Sequence, residues 1–164
     1  PELMRGLEQG YIDIGIFVLP AISEQLSVTP LFEDEIVLIN ARDGDKFVGP
    51  VTPHYLSQLP IILYQSGAST RQVTDQWFAQ AGHKALVTME FGNVEAIKTM
   101  VVTGSGQALV PKMALQSSES NDIAIQSLSP KLFRQIGLVT HKNRPPSEIV
   151  QTVISALYAL RPAA

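Results

Sequence analysis

The stretch "QSGASTRQVTDQWF" gathers residue types suited to holding an anion. Hydroxyls at Ser66, Ser69 and Thr70 flank Gly67 and Ala68, and Arg71 falls in the first turn of an expected helix. A helix N-terminus exposes amides without intrahelical acceptors and carries partial positive charge, so it favours carboxylate, sulfate or phosphate. Small side chains at 67 and 68 would let a ligand approach the backbone, and Arg71 could add a charged fork. The same residues also spell an ordinary helix start. In that account Ser69 and Gln72 form a capping box, and Arg71 pairs with Asp75 four residues on. The local pattern leaves both accounts open.

"EFGNVEAIKTM" offers a second helix start, with Asn93 as N-cap after Phe91 and Gly92. If both starts lie at the carboxyl edge of one sheet, they face the crevice where open α/β sheets bind ligands. Capping alone is the competing account.

Other chemistries find little support. A Walker-type loop needs Lys before Ser or Thr and a different glycine spacing. "TGSGQALVP" contains Gly-x-Gly, but in the order helix, glycines, strand, whereas dinucleotide binding needs strand, glycines, helix. Gly104 and Gly106 therefore read as a helix stop and a tight turn. His54, His83 and His141 lack metal-ligand spacing, and no Gly-x-Ser-x-Gly elbow is present. Asp13 lies in an apolar run, where such a residue usually satisfies local backbone donors. No catalytic residue, metal or other cofactor is expected.

The elements that must position these residues follow from periodicity. Leu3, Met4 and Leu7 mark a short helix closed by Gly10, and "YIDIGIFV" reads as a strand. "LSVTPLF" is extended, with Pro30 confining it to an edge or irregular position, and "EIVLINA" is a strand buried on both faces. The polar run "RDGDKFVGPVTP" marks a lobe boundary. Beyond it come a strand at "LPIILYQ", a helix over 69–81 and a strand at "ALVTMEF". A helix over 93–103 and a strand at "GQALVP" follow, with a brief helix opened by Pro111. After the polar loop "SSESND", "IAIQSL" and "FRQIGLVTHK" are separate strands. The last helix is capped by Ser147 and stopped by Pro162. Alternating strands and helices argue an α/β fold with mainly parallel pairing.

Bulk composition narrows the classes further. The 164 residues are 45% hydrophobic, enough for a real core, and no apolar run reaches the roughly 18 residues of a bilayer span. The net charge of −3 comes with scattered basic residues, whereas phosphate-backbone binding needs clustered ones, so this chain alone reads as a poor nucleic-acid binder. Absence of cysteine rules out disulfides and is compatible with the cytoplasm.

Five segments, taken in order, resemble the effector-binding domain of LysR-type transcriptional regulators: "LMRGLEQGYIDIGIF", "VTPLFEDEIVLINARD", "LSQLPIILYQSGASTRQVTDQWFAQAG", "EFGNVEAIKTMVVTGSGQALVPKMAL" and "RQIGLVTHKNRPPSEIVQTVISAL". The resemblance implies a two-lobed fold like type II periplasmic binding proteins, with a ligand cleft between lobes and a hinge of two crossover strands near 38–43 and 137–142. Lobe one would be residues 1–44 and 139–164, and lobe two 45–138. By position, Ser66, Gly67, Ala68, Ser69, Thr70, Arg71, Phe91, Gly92 and Asn93 would contact a small polar or anionic effector from lobe two. Phe17 and Val18 would follow the lobe-one strand, and Asn40 would sit at the hinge. The resemblance implies a homodimer or homotetramer in the intact regulator. DNA would be bound only through an N-terminal helix-turn-helix that this sequence lacks, and the family's first lobe-one strand is expected to be missing too. A periplasmic-type receptor serving transport is the alternative. An enzyme on a related scaffold would need a cleft nucleophile, and none is identified.

Overall fold

A computed structural model describes residues 2–42, 49–116 and 122–159. Twelve elements follow one another: α1 (Glu2–Gln9), β1 (Ile14–Val18), β2 (Leu26–Ala41), α2 (Pro53–Leu56), β3 (Pro60–Tyr64), α3 (Ser69–Gln80), β4 (Leu86–Phe91), α4 (Val94–Val102), β5 (Gln107–Pro111), a 3-10 turn (Lys112–Ala114), β6 (Ile123–His141) and α5 (Glu148–Ala159). Half of the expected lobe-boundary run, residues 43–48, and most of "SSESND" lie outside the described residues, as does Pro162.

The chain forms two compact units. Unit two is the continuous segment Asp34–Arg134, and unit one comprises the chain before and after it. The chain therefore passes from one unit to the other twice, at Glu33/Asp34 along β2 and at Arg134/Gln135 along β6.

Unit one is small. β1 pairs antiparallel with β6, Ile14 opposite Thr140 and Val18 opposite Ile136. Leu7, Leu26 and Val139 form its buried cluster, with Met4, Ile12 and Phe17 packed against it. Asp13 stands just before β1 and is exposed, so it is no strand residue, contrary to the expectation. Gly10, at φ +76, ends α1. The Arg144 guanidinium occupies the space a Cβ there would need, and donates to the Gln9 carbonyl at 3.3 Å.

Unit two holds two larger clusters. One gathers Ile36, Leu38, Ile61, Leu63, Leu109, Trp77 and Phe78. The other gathers Val37, Ile39, Ile62, Ala108, Val110, Ile97 and Val101. Alternate residues of β2, β3 and β5 thus feed opposite faces, and α3 covers one face while α4 covers the other. Burial on both faces explains why these strands read as continuous apolar runs rather than alternating ones. The Trp77 indole donates to the Pro130 carbonyl at 3.0 Å, so its one polar atom is satisfied inside the core.

Pairing is mixed rather than mainly parallel. β3 runs parallel to both β4 and β5, but β2 runs antiparallel to β5 and β1 antiparallel to β6. Two pairs of expected strands merge: β2 continues through Pro30 and β6 through Pro130. The β2–β5 ladder covers only Ile36 to Ile39, so Pro30 removes no donor from it. The short helix α2 was not expected. Thr52 caps it, accepting from the Tyr55 amide, and Pro53 opens it.

Candidate functional site

Parallel pairing of β3 with β4 sends both chains in one direction, so the loops leading into α3 and α4 leave from the same sheet edge. Tyr64 stands opposite Phe91 at that edge, and the Gln65 amide donates to the Phe91 carbonyl at 2.9 Å. The structure thereby brings Ser66–Arg71 and Phe91–Asn93 together within unit two.

The two helix starts differ in their chemistry. Asn93 accepts from the Ala96 amide at 2.8 Å and so closes α4 with its own side chain. Likewise Thr52 caps α2, and Ser147 accepts from the Val150 amide in the first turn of α5. At α3 the N-cap is Ala68, with no side-chain hydrogen bond. The expected capping box is therefore absent. Ser69 is the first helical residue, one position too late for its hydroxyl to cap. Gly67 sits at φ +91 with open space around it, which leaves the approach to the uncapped turn clear.

Arg71 is engaged. It holds Asp75 through Nε at 2.9 Å, as in the plain reading of the sequence, and through Nη1 it donates to Glu90 at 2.7 Å and to the Tyr64 carbonyl at 2.8 Å. Burial works against its charge, but the bonds to Glu90 and Asp75 outweigh it and raise its pKa. Glu90 also accepts from the Ser66 amide at 3.2 Å, and the Arg71 contact leads in holding its carboxyl below the usual range. One carboxylate of the protein thus takes up the Ser66 amide and one face of Arg71, while the amides of the α3 first turn have no side-chain cap.

Thr70 is nearly buried, 6% exposed, and its hydroxyl accepts from Arg134 Nη1 at 3.1 Å. Arg134 in turn holds Asp34 through Nε at 2.9 Å and Nη2 at 2.8 Å, and the other Asp34 oxygen accepts from the Met113 amide at 3.1 Å. Neither Asp34, Arg134 nor Glu90 was singled out in the sequence. Asp34 and Arg134 lie 100 positions apart, and no local spacing links them.

Asn40 is nearly buried in β2, its amide donating to the Ala41 carbonyl at 3.3 Å. Phe17 and Val18 belong to unit one, opposite Gly137 and Ile136. Among the described residues no group of His, Asp or Glu could hold a metal, and no helix is long and apolar enough to cross a membrane.

Two helix starts, one of them without a side-chain cap, thus lie together at the carboxyl edge of a parallel strand pair in an α/β unit. The chain belongs to the LysR substrate binding domain family, which it matches over residues 1–160. It is 29% identical over 147 residues to the HTH-type transcriptional regulator YeiE of Escherichia coli K12, covering 87% of this chain and 50% of that protein. It is 26% identical over 152 residues to the HTH-type regulator YfeR of Shigella flexneri, with 92% and 49% covered. The chain spans about half the length of these curated relatives.

Solved structures agree on the fold. The regulatory domain of Synechocystis CcmR in complex with 2-PG aligns with TM-score 0.86 at 21% identity, over 98% of this chain and 78% of that one. The cofactor-binding domain of the Cbl transcriptional regulator gives 0.86 at 24% identity, over 97% and 71%. The effector binding domain of QuiR in complex with shikimate gives 0.83 at 18%, over 98% and 77%. The architecture is thus the type II periplasmic-binding-protein-like fold of LysR effector-binding domains. These relatives are transcriptional regulators rather than enzymes, and they do not favour the transport-receptor alternative.

Proposed function

We propose that this chain senses a small polar or anionic effector through the first turn of α3, with Ser66, Gly67, Ala68, Ser69, Thr70 and Arg71 as the principal contacts. Phe91, Gly92 and Asn93 flank that turn from the neighbouring strand end. Phe17, Val18 and Asn40 are assigned to the same effector by family position. The observation that carries the reading is that α3 lacks the side-chain cap seen on α2, α4 and α5. Amides left without acceptors at a helix start attract an anion, and hydroxyls beside them add donors. The complexes of CcmR with 2-PG and of QuiR with shikimate support a small-molecule effector for this fold.

In the intact regulator, effector binding would bias the crossovers of β2 and β6 and the arrangement of subunits on DNA, which a helix-turn-helix elsewhere in the protein contacts. Coupling of about 1–3 kcal/mol is enough to change occupancy several-fold. The regulator would act in the cytoplasm as a homodimer or homotetramer. The test is a thermal-shift screen of inorganic anions and organic acids, repeated on a variant carrying Ser69→Ala and Thr70→Ala. A compound that raises the midpoint of the parent and not of the variant supports the assignment; equal shifts in both refute it.

A further inference from the structure

Glu95, Lys98, Thr99 and Val102 recur at intervals of three and four, which places them on one stripe of α4. With Thr103 at the end of the helix and Asp122 and Ile123 at the entry to β6, that stripe lines a cavity of about 230 Å³ inside unit two. Among the described residues, none of those assigned above to the effector lines it.

The lining is rich in acceptors. Lys98 is 4% exposed, and a buried ammonium needs partners. The Glu95 carboxylate at 2.7 Å and the Ala114 carbonyl at 3.1 Å engage it. The Thr99 hydroxyl donates its single hydrogen to the Glu95 carbonyl at 2.8 Å, and that of Thr103 donates to the Met100 carbonyl at 3.0 Å. Toward a ligand both oxygens can therefore only accept. Lys98 and Glu95 cancel in charge, and Asp122 leaves the lining with one net negative charge. Buried Ile123 and half-exposed Val102 supply the apolar part.

We propose that this cavity is a binding site separate from the α3 first turn, and that it takes a small organic cation, a primary ammonium on a short aliphatic chain. An ammonium carries three hydrogens and no lone pair, so it matches Asp122 and the threonine oxygens, while the chain lies against Val102 and Ile123. A volume below the ~300–1,000 Å³ of drug-sized sites limits that chain to a few carbons. A carboxylate of the same length meets a like charge and finds Lys98 already engaged. The inference does not depend on the effector reading, and either can fail alone.

The test is titration of the nitrogen-labelled protein with n-butylammonium chloride, following the amide resonances of Thr99, Thr103 and Ile123, with sodium butyrate and sodium chloride as controls. Butylammonium should shift these amides saturably, in the millimolar range expected of so few atoms, and the controls should not. Asp122→Asn should weaken it several-fold. Val102→Trp, which fills the cavity from an exposed position, should abolish the shifts. Butyrate acting as strongly as butylammonium, or Asp122→Asn binding as well as the parent, overturns the cation assignment. Shifts that persist in Val102→Trp, or a folded parent that ignores butylammonium, overturn the site. Should Val102→Trp not fold, Thr99→Val takes its place, and affinity equal to the parent's overturns the site.

Discussion

Arg134 grips Asp34 with two nitrogens, at 2.9 and 2.8 Å, and these are the last and first residues of unit two. One ion pair therefore ties together the two points at which the chain crosses between units. Its carboxylate is almost wholly removed from water, with the Asp34 side chain 1% exposed and that of Arg134 19%.

Replacing Asp34 by Ala leaves a guanidinium without its partner and the Met113 amide without an acceptor. Breaking a buried pair from one side typically costs roughly 3–5 kcal/mol. Denaturant unfolding of Asp34→Ala should show a loss of that order. Asp34→Leu combined with Arg134→Met should recover much of it, because no charge is then left buried alone. A single variant as stable as the parent would show that the pair contributes nothing to the fold.

Capping α3 should trade binding for stability. Ala68 has extended dihedrals, φ −67 and ψ 140, which suit an N-cap. Ala68→Asp places an acceptor on the first-turn amides and should stabilise by about 1 kcal/mol. The same carboxylate occupies the proposed oxyanion position. Calorimetry should show a higher melting temperature together with a lost response to sulfate.

Acid should weaken unit two through two carboxylates. The Arg71 contact and the Ser66 amide lower the pKa of Glu90, and the Ser127 hydroxyl, with Lys112, lowers that of Glu35 against an opposing effect of burial. A carboxylate lowered in the folded state adds stability that is full above its unfolded pKa and is lost as pH falls through the folded value. The melting temperature should therefore hold from neutrality to the ordinary carboxylate range of about 4.3 and fall below it. Glu90→Gln should shallow that fall, and a slope unchanged by the substitution would remove Glu90 from the account.

Phe78 is 1% exposed and meets Trp77 edge-on, with ring centroids 5.1 Å apart. Phe78→Ala should cost about 3–5 kcal/mol through the cavity it leaves. Far-ultraviolet circular dichroism during denaturant unfolding would measure it, and a cost near zero would mean the helix repacks.

What the sequence revealed divides by distance along the chain. Asn93 as the cap of α4 and the pairing of Arg71 with Asp75 were legible because their partners lie within four positions. Ser69 misled by a single position: its pattern fits a capping box, but the helix begins at Ser69 and Ala68 takes the cap. The apolar run of β2 announced burial on both faces, yet burial does not encode strand direction, so the antiparallel β2–β5 ladder was missed. Glu90 fell within an expected strand with nothing nearby to mark it, and its bond to Ser66 spans 24 positions. The Asp34–Arg134 pair, at a separation of 100, exists only once the fold does.

Because Asp34 and Arg134 are held side by side, everything between them forms a loop of sequence closed at its base. A cut at 33/34 and 134/135 therefore falls just outside the pair and leaves the Asp34–Arg134 clasp and the β2–β5 ladder intact within the excised segment.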